Sequence, residues 1–277
     1  MDTPAPDARQ LVLCFDGTNN TLTAQTQDTN VLRLHRHLTE HPAPNRLLYY
    51  DPGVGSPDGM PPTGPGDWYR RTSERIQGLA SGRGVYDNIA AGYLFLMRNW
   101  RSDADQIYCF GFSRGAFTAR CVAGMVNLFG LLDRQYEVLL PTLVRIYFSQ
   151  PRQHSSKARK SSLSAKLHRR MGLQKADRDT LAAQVRTQFT GGSLPWVHWV
   201  GVWDTVESVG LPGPLSQSNP STATMVGKRM HHVRHALALD EHRYAFLPRL
   251  YEEPGDIDLQ QPRQTLKQRW FSGVHCD

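Results

Sequence analysis

The sequence is poor in the features that would mark several protein classes. Its four cysteines (Cys14, Cys109, Cys121, Cys276) are widely separated. No Cys-x-x-Cys pair and no histidine pair at zinc-finger spacing accompanies them, which argues against a disulfide scaffold or a structural zinc site and for reduced thiols. No apolar run approaches the roughly 18 residues that a membrane span requires. The first residues, Met1-Asp2-Thr3-Pro4-Ala5-Pro6-Asp7, put acids and prolines where a secretory signal has basic residues and an apolar core. The expectation is a chain made in the cytoplasm without signal-dependent export. The first apolar run ends Cys14-Phe15-Asp16-Gly17-Thr18, so the first aspartate of the Asp-x-Asp-Gly-Thr phosphotransferase motif is absent. That excludes phosphotransfer of the haloacid dehalogenase kind.

What is present suits one globular domain. The 277 residues are 39% hydrophobic and 21% charged, enough for a single large α/β unit over 1–277. A net charge of +7 favours an anionic partner, nucleic acid or acidic lipid. The basic residues concentrate between Pro151 and Lys175, within an expected insertion at about 151–190. That cluster has no aromatic residue for base stacking, which makes nucleic acid an unlikely partner. Leu163, Leu167 and Met171 recur there every four residues among lysines and arginines, a pattern suited to peripheral contact with an anionic membrane surface. A solvated loop explains the same composition. No feature specifies an oligomeric state.

Apolar runs and turn residues alternate along the rest. Strands are expected at Gln10–Phe15, Arg46–Tyr50, Gln106–Phe110, Pro195–Trp203 and Arg269–Phe271. Helices are expected after Asp28-Thr29-Asn30 (burying Val31, Leu34 and Leu38), over about Val85–Trp100, over Ala116–Leu132 and over Met230–Leu239. Residues 56–84, rich in Gly and Pro, read as an irregular excursion. Strands alternating with helices predict a doubly wound, mostly parallel α/β sheet.

Gly111-Phe112-Ser113-Arg114-Gly115 lies directly after one apolar strand and before one apolar helix. A nucleophilic serine needs this context: a strained turn flanked by minimal side chains, opening a helix whose first N–H groups face an oxyanion. Ser113 is therefore the candidate nucleophile, Gly111 and Gly115 the elbow glycines, and the Arg114 amide an oxyanion donor. A second oxyanion amide is expected from Gly17, after the first strand, where a plain glycine turn is an equal reading. This fold supplies its acid and then its base later in the chain, each at a strand end. Asp204, ending the Pro195–Trp203 strand, is the candidate acid. His275, in a Gly-preceded loop after the last strand, is the candidate base, with His235 in reserve. No metal or other cofactor is expected.

These segments together carry a resemblance. Phe15-Asp16-Gly17-Thr18-Asn19-Asn20, Asp28-Thr29-Asn30-Val31, Tyr50-Asp51-Pro52-Gly53-Val54-Gly55, the elbow with Ala116, Trp203-Asp204-Thr205-Val206, His235-Ala236-Leu237-Ala238-Leu239-Asp240-Glu241 and Trp270-Phe271-Ser272-Gly273-Val274-His275 occur in order. The chain thus resembles, from about residue 10 onward, the α/β-hydrolase family that includes type VI secretion phospholipase effectors. The resemblance implies an α/β-hydrolase fold, hydrolysis of phospholipid acyl esters by Ser113, Asp204 and His275, and signal-independent secretion into a target cell. The family pattern continues past Val-His-x-Asp, so the chain reads as C-terminally truncated, with His275 expected to lack its usual support. A general esterase or thioesterase on small acyl substrates, and an inactive scaffold of the same fold, are the alternatives.

Overall fold

The computed structural model describes residues 8–17, 28–53, 83–149, 177–206, 224–225, 227–243, 246–252 and 263–275. Six strands form one sheet: β1 (Gln10–Phe15), β2 (Arg46–Asp51), β3 (Gln106–Phe112), β4 (Val197–Trp203), β5 (Met230–Ala238) and β6 (Thr265–Phe271). Their order is β2-β1-β3-β4-β5-β6, and every neighbouring pair is parallel. The helices are α1 (Asn30–Glu40), α2 (Arg83–Asn99), α3 (Arg114–Phe129), α4 (Leu140–Tyr147) and α5 (Arg178–Phe189). The doubly wound parallel α/β architecture is thus the one present.

Both faces of the sheet carry helices, as a parallel sheet requires to bury its apolar strands. Helix α3 is apolar all round and lies in the main core, against Leu11, Leu13, Ile107, Cys109, Val200 and Val233 of the strands and Ile89, Tyr93 and Leu96 of α2. Helix α1 covers the opposite face, where Val31, Leu34 and Leu38 meet Val12, Cys14, Leu48 and Tyr108. Its start is capped by Thr29, whose Oγ1 accepts the Leu32 N–H at 3.0 Å. No single described helix is long and apolar enough to cross a membrane.

Two expectations are corrected. Met230–Leu239 is not a helix: Met230–Ala238 is strand β5, flanked on both sides by parallel partners, and Val233, His235 and Leu237 alternate inward as a strand demands. The last strand begins at Thr265, not Arg269. Part of the expected insertion, Arg178–Phe189, is helix α5, with Ala182 buried and Val185 and Phe189 packed on the core. The basic cluster with Leu163, Leu167 and Met171 lies outside the described residues, as does most of the 56–84 excursion.

The chain advances from β1 to β2 on one side and then returns to place β3 on the other. In sheets wound this way, ligands bind beyond the carboxyl ends of the strands at the reversal. Asp16, Gly17 and Ser113 stand there.

Candidate active site

Ser113 occupies the turn between β3 and α3 with φ 56° and ψ −120°, a left-handed conformation strained for a residue with a side chain. Two close backbone approaches make the turn possible. A Cβ on Gly111 would overlap the Gly115 carbonyl and Ala116 Cα, and a Cβ on Gly115 would overlap the carbonyl oxygens of Phe15 and Asp16. The two flanking glycines thus let α3 start directly against β3 and β1. The Ser113 N–H donates to Trp203 O at 3.0 Å and its carbonyl accepts the Val206 N–H at 3.2 Å, tying the turn to the end of β4.

That tie brings Asp204 to the same edge. Asp204 also has positive φ, 39°. Its N–H donates to Ala236 O at 2.9 Å, and its Oδ1 accepts the Ala238 N–H at 2.7 Å, which fixes the carboxylate against the end of β5. Oδ2 is left facing His275 Nδ1 at 3.5 Å. His275 Nε2 is 2.8 Å from Ser113 Oγ. Ser113, His275 and Asp204, far apart in sequence, are therefore gathered at one edge, and all three are at least 93% buried. Nδ1 of His275 makes no hydrogen bond, since 3.5 Å to Asp204 is longer than one.

His275 is held firmly, contrary to the expectation that it lacks support. Its ring lies between Phe112 and Phe246, each centroid 4.8 Å away. Its loop is tied to the stretch after β5: Leu239 N–H to Phe271 O at 2.8 Å, Asp240 N–H to Gly273 O at 3.0 Å, Gly273 N–H to Asp240 Oδ2 at 2.7 Å and His275 N–H to Glu241 Oε2 at 3.2 Å. The segment 235–241 belongs to the resemblance, yet nothing in the sequence gave Asp240, Glu241 or Phe246 a task; their contacts with the His275 loop are all long-range.

Two other expected site residues stand differently. His235 is on a strand, and both its ring nitrogens are engaged by residues other than Ser113: Nε2 accepts from the Thr205 N–H at 3.3 Å, and Nδ1 lies 3.2 Å from Gln268 Oε1. Those partners assign the neutral Nδ1–H tautomer. Burial, reinforced by Arg120, pushes its pKa down to about 4. It braces the loop that follows Asp204 and is no reserve base. Gly17 does not offer its amide to an oxyanion either, because the N–H donates to Asp16 Oδ1 at 2.7 Å. Asp16, fully buried, also accepts from Thr29 Oγ1 at 2.7 Å and Tyr50 Oη at 2.8 Å, so it serves as a structural hub joining β1, β2 and α1. The Arg114 amide is in the first turn of α3, where a helix has no acceptor of its own to give.

Cys14 and Cys109 are not rival nucleophiles, since burial pushes both thiols up to about 12. Among the described residues no group of three or more His, Cys, Asp or Glu side chains is arranged to hold a metal ion. A groove of about 460 Å³ lies apart from the serine, on the face of β4–β6, lined by Trp199, Trp203, Arg234, Lys267, Arg269 and Phe271 among others.

Comparison with known proteins adds the following. Residues 9–277 match the model of the family described as T6SS, Phospholipase effector Tle1-like, catalytic domain. An uncharacterized protein of Saccharomyces cerevisiae is 31% identical over 244 residues, covering 86% of this chain and 32% of its own length. A crystal structure of an uncharacterized protein from Pseudomonas aeruginosa has 15% identity and a TM-score of 0.39, over 97% of this chain and 41% of that one. The structure of the Tle1 effector bound to the VgrG spike from the Type 6 secretion system has 14% identity and a TM-score of 0.30, over 97% of this chain and 50% of that one. The chain thus spans a third to a half of the length of these relatives.

Proposed function

The chain belongs to the Tle1-like phospholipase effector catalytic-domain family of type VI secretion, and on that premise we propose that it is a serine hydrolase cleaving carboxylic esters of phospholipids through Ser113, His275 and Asp204. The single observation that carries the reading is the 2.8 Å approach of His275 Nε2 to Ser113 Oγ at a strained strand-to-helix turn. His275 takes the Ser113 proton as Oγ attacks the ester carbonyl carbon. The negative charge passes to the carbonyl oxygen, which the Arg114 amide at the head of α3 receives. When the intermediate collapses, the proton on Nε2 goes to the leaving alkoxide and the acyl group stays on Oγ. Water, deprotonated by the same nitrogen, then releases the fatty acid.

Asp204 Oδ2 orients the ring and stabilises the imidazolium. Its 3.5 Å separation from Nδ1 is expected to shorten as the ring becomes charged, since such contacts are commonly loose before substrate binds. A lipid substrate is supported by the surroundings of the base. Leu239, Trp270 and Val274, on and beside the His275 loop, are 40–57% exposed, an apolar rim suited to acyl chains. The family also supports delivery through a type VI apparatus to the membranes of a target cell.

The test is hydrolysis of p-nitrophenyl butyrate and of mixed phospholipid vesicles, with fluorophosphonate labelling of the nucleophile. Ser113→Ala is expected to abolish all three signals, and Asp204→Asn to slow turnover on the order of 10⁴-fold. Activity that survives Ser113→Ala refutes the mechanism. Hydrolysis of the small ester with none of the vesicles refutes the phospholipid assignment.

A further inference from the structure

The base of a serine hydrolase must be held within a fraction of an ångström, yet His275 sits in a loop with no helix or strand of its own to hold it. Its ring touches Phe112 and Phe246, but ring contacts leave the backbone beneath it free to slide. What ties that backbone is Glu241. The Glu241 side chain is 3% exposed, and Oε2 accepts the His275 N–H at 3.2 Å.

A buried carboxylate is tolerated only when its oxygens are fully engaged. Arg243 engages them: its N–H and Nε reach Oε1 at 2.7 and 2.8 Å, and its Nη2 reaches Oε2 at 2.5 Å. These bonds pull the Glu241 pKa down to about 2, so it stays an anion at every pH where an imidazole can act as a base. The same guanidinium lies over the Phe246 ring, 4.4 Å from its centroid, and that ring lies 4.8 Å from His275. The contacts close on themselves, from carboxylate to guanidinium to Phe246 to the imidazole and back through the His275 amide.

Resting on the assignment of Ser113 and His275 as nucleophile and base, we propose that Glu241, clamped by Arg243, is the positioning residue of the base. It sets the approach of Nε2 to Ser113 Oγ without touching substrate. Leu239 and Asp240 tie Phe271 and Gly273 in the same loop, and Glu241 makes the tie at the histidine itself. Losing it frees the base and leaves the elbow and the acyl-binding rim unchanged, so turnover falls while substrate affinity does not.

The experiment compares Glu241→Ala, Glu241→Gln and Arg243→Ala in the full chain with wild type, Ser113→Ala and His275→Ala. Steady-state p-nitrophenyl butyrate hydrolysis and fluorophosphonate labelling are the readouts, with thermal melts to check folding. Glu241→Ala is expected to lower kcat about 10- to 100-fold with KM within about twofold. Glu241→Gln keeps an oxygen for the His275 amide and is expected to recover to within about tenfold of wild type, with Arg243→Ala falling between. Should Glu241→Ala fail to fold, the Gln and Arg243 variants decide by the same split. An unchanged kcat, a rise in KM alone, or a Gln variant no better than Ala overturns the inference while His275→Ala remains inactive. An active His275→Ala overturns the site assignment, and the inference with it.

Discussion

Replacing Gly111 by alanine tests whether the backbone contact at the elbow sets the geometry of the serine. The added carbon would lie 2.6 Å from the Gly115 carbonyl carbon and 2.7 Å from Ala116 Cα, and closer still to the Gly115 oxygen. All three are backbone atoms, so no side-chain rotation relieves the overlap. Carbon atoms rest about 3.5 Å apart, so the first turn of α3 must retreat from β3 by about 0.8 Å. Ser113 lies between the two elements and moves with them. Its Oγ is 2.8 Å from His275 Nε2, and a further 0.8 Å along that line gives about 3.6 Å, which is no longer a hydrogen bond. Displacement of a reacting group on this scale costs about 100-fold in rate. The overlap itself costs about 1–3 kcal/mol of stability, at roughly 2–4 °C in Tm per kcal/mol. Fluorophosphonate labelling and ester hydrolysis read the first effect and a thermal melt the second. Gly191→Ala is the control: nothing lies within 4 Å of the added carbon and φ is +60°, so it is expected to lose about 1 kcal/mol with no change in rate. A folded Gly111→Ala variant labelled as fast as wild type refutes the reasoning.

Two further predictions concern the scaffold. The His235 pKa falls from 6.5 to about 4 on folding, so the neutral ring's contribution is complete above pH 6.5 and is lost as pH falls from 6.5 through 4, by up to about 3 kcal/mol. Urea unfolding of wild type between pH 7 and 4 is expected to show this slope and His235→Asn to flatten it; an identical slope in both counts against it. Arg120, 2% exposed, donates to the carbonyls of Arg249 and Leu250 and lies over the Tyr251 ring at 3.8 Å. Arg120→Leu is expected to cost about 2–4 kcal/mol in thermal or chemical denaturation by leaving those carbonyls without their donor, and a loss below about 0.5 kcal/mol refutes the assignment.

The elbow was legible because its requirements are local. A strained turn between a strand and a helix demands small flanking residues, and Gly111 and Gly115 supply them directly between an apolar strand and an apolar helix. Asp204 and His275 could be singled out as candidates for a related reason: Asp204 directly follows an apolar run and His275 lies in the loop after one, and strand ends in a parallel sheet collect at one edge. The segment Met230–Ala238 was not legible. Methionine, alanine, leucine and arginine suit a helix by propensity, and histidine at the inward position 235 blurs the alternation of Val233 and Leu237. Pairing with β4 and β6 on both sides overrides that propensity. The support for His275 was equally hidden, because Glu241 meets its amide across 34 residues.

The sequence by itself determined the class of fold and the serine turn, since these follow from periodicity and from sterics within a few residues. Only the tertiary structure decided which histidine faces Ser113, that Asp16 claims the Gly17 amide, and that Glu241, paired with Arg243, accepts the His275 amide. Those outcomes depend on strand order, β3 beside β4 and β6 at the edge, and on buried polar groups finding partners from distant segments. A chain's local chemistry does not encode which distant partner each buried donor and acceptor will meet; packing does.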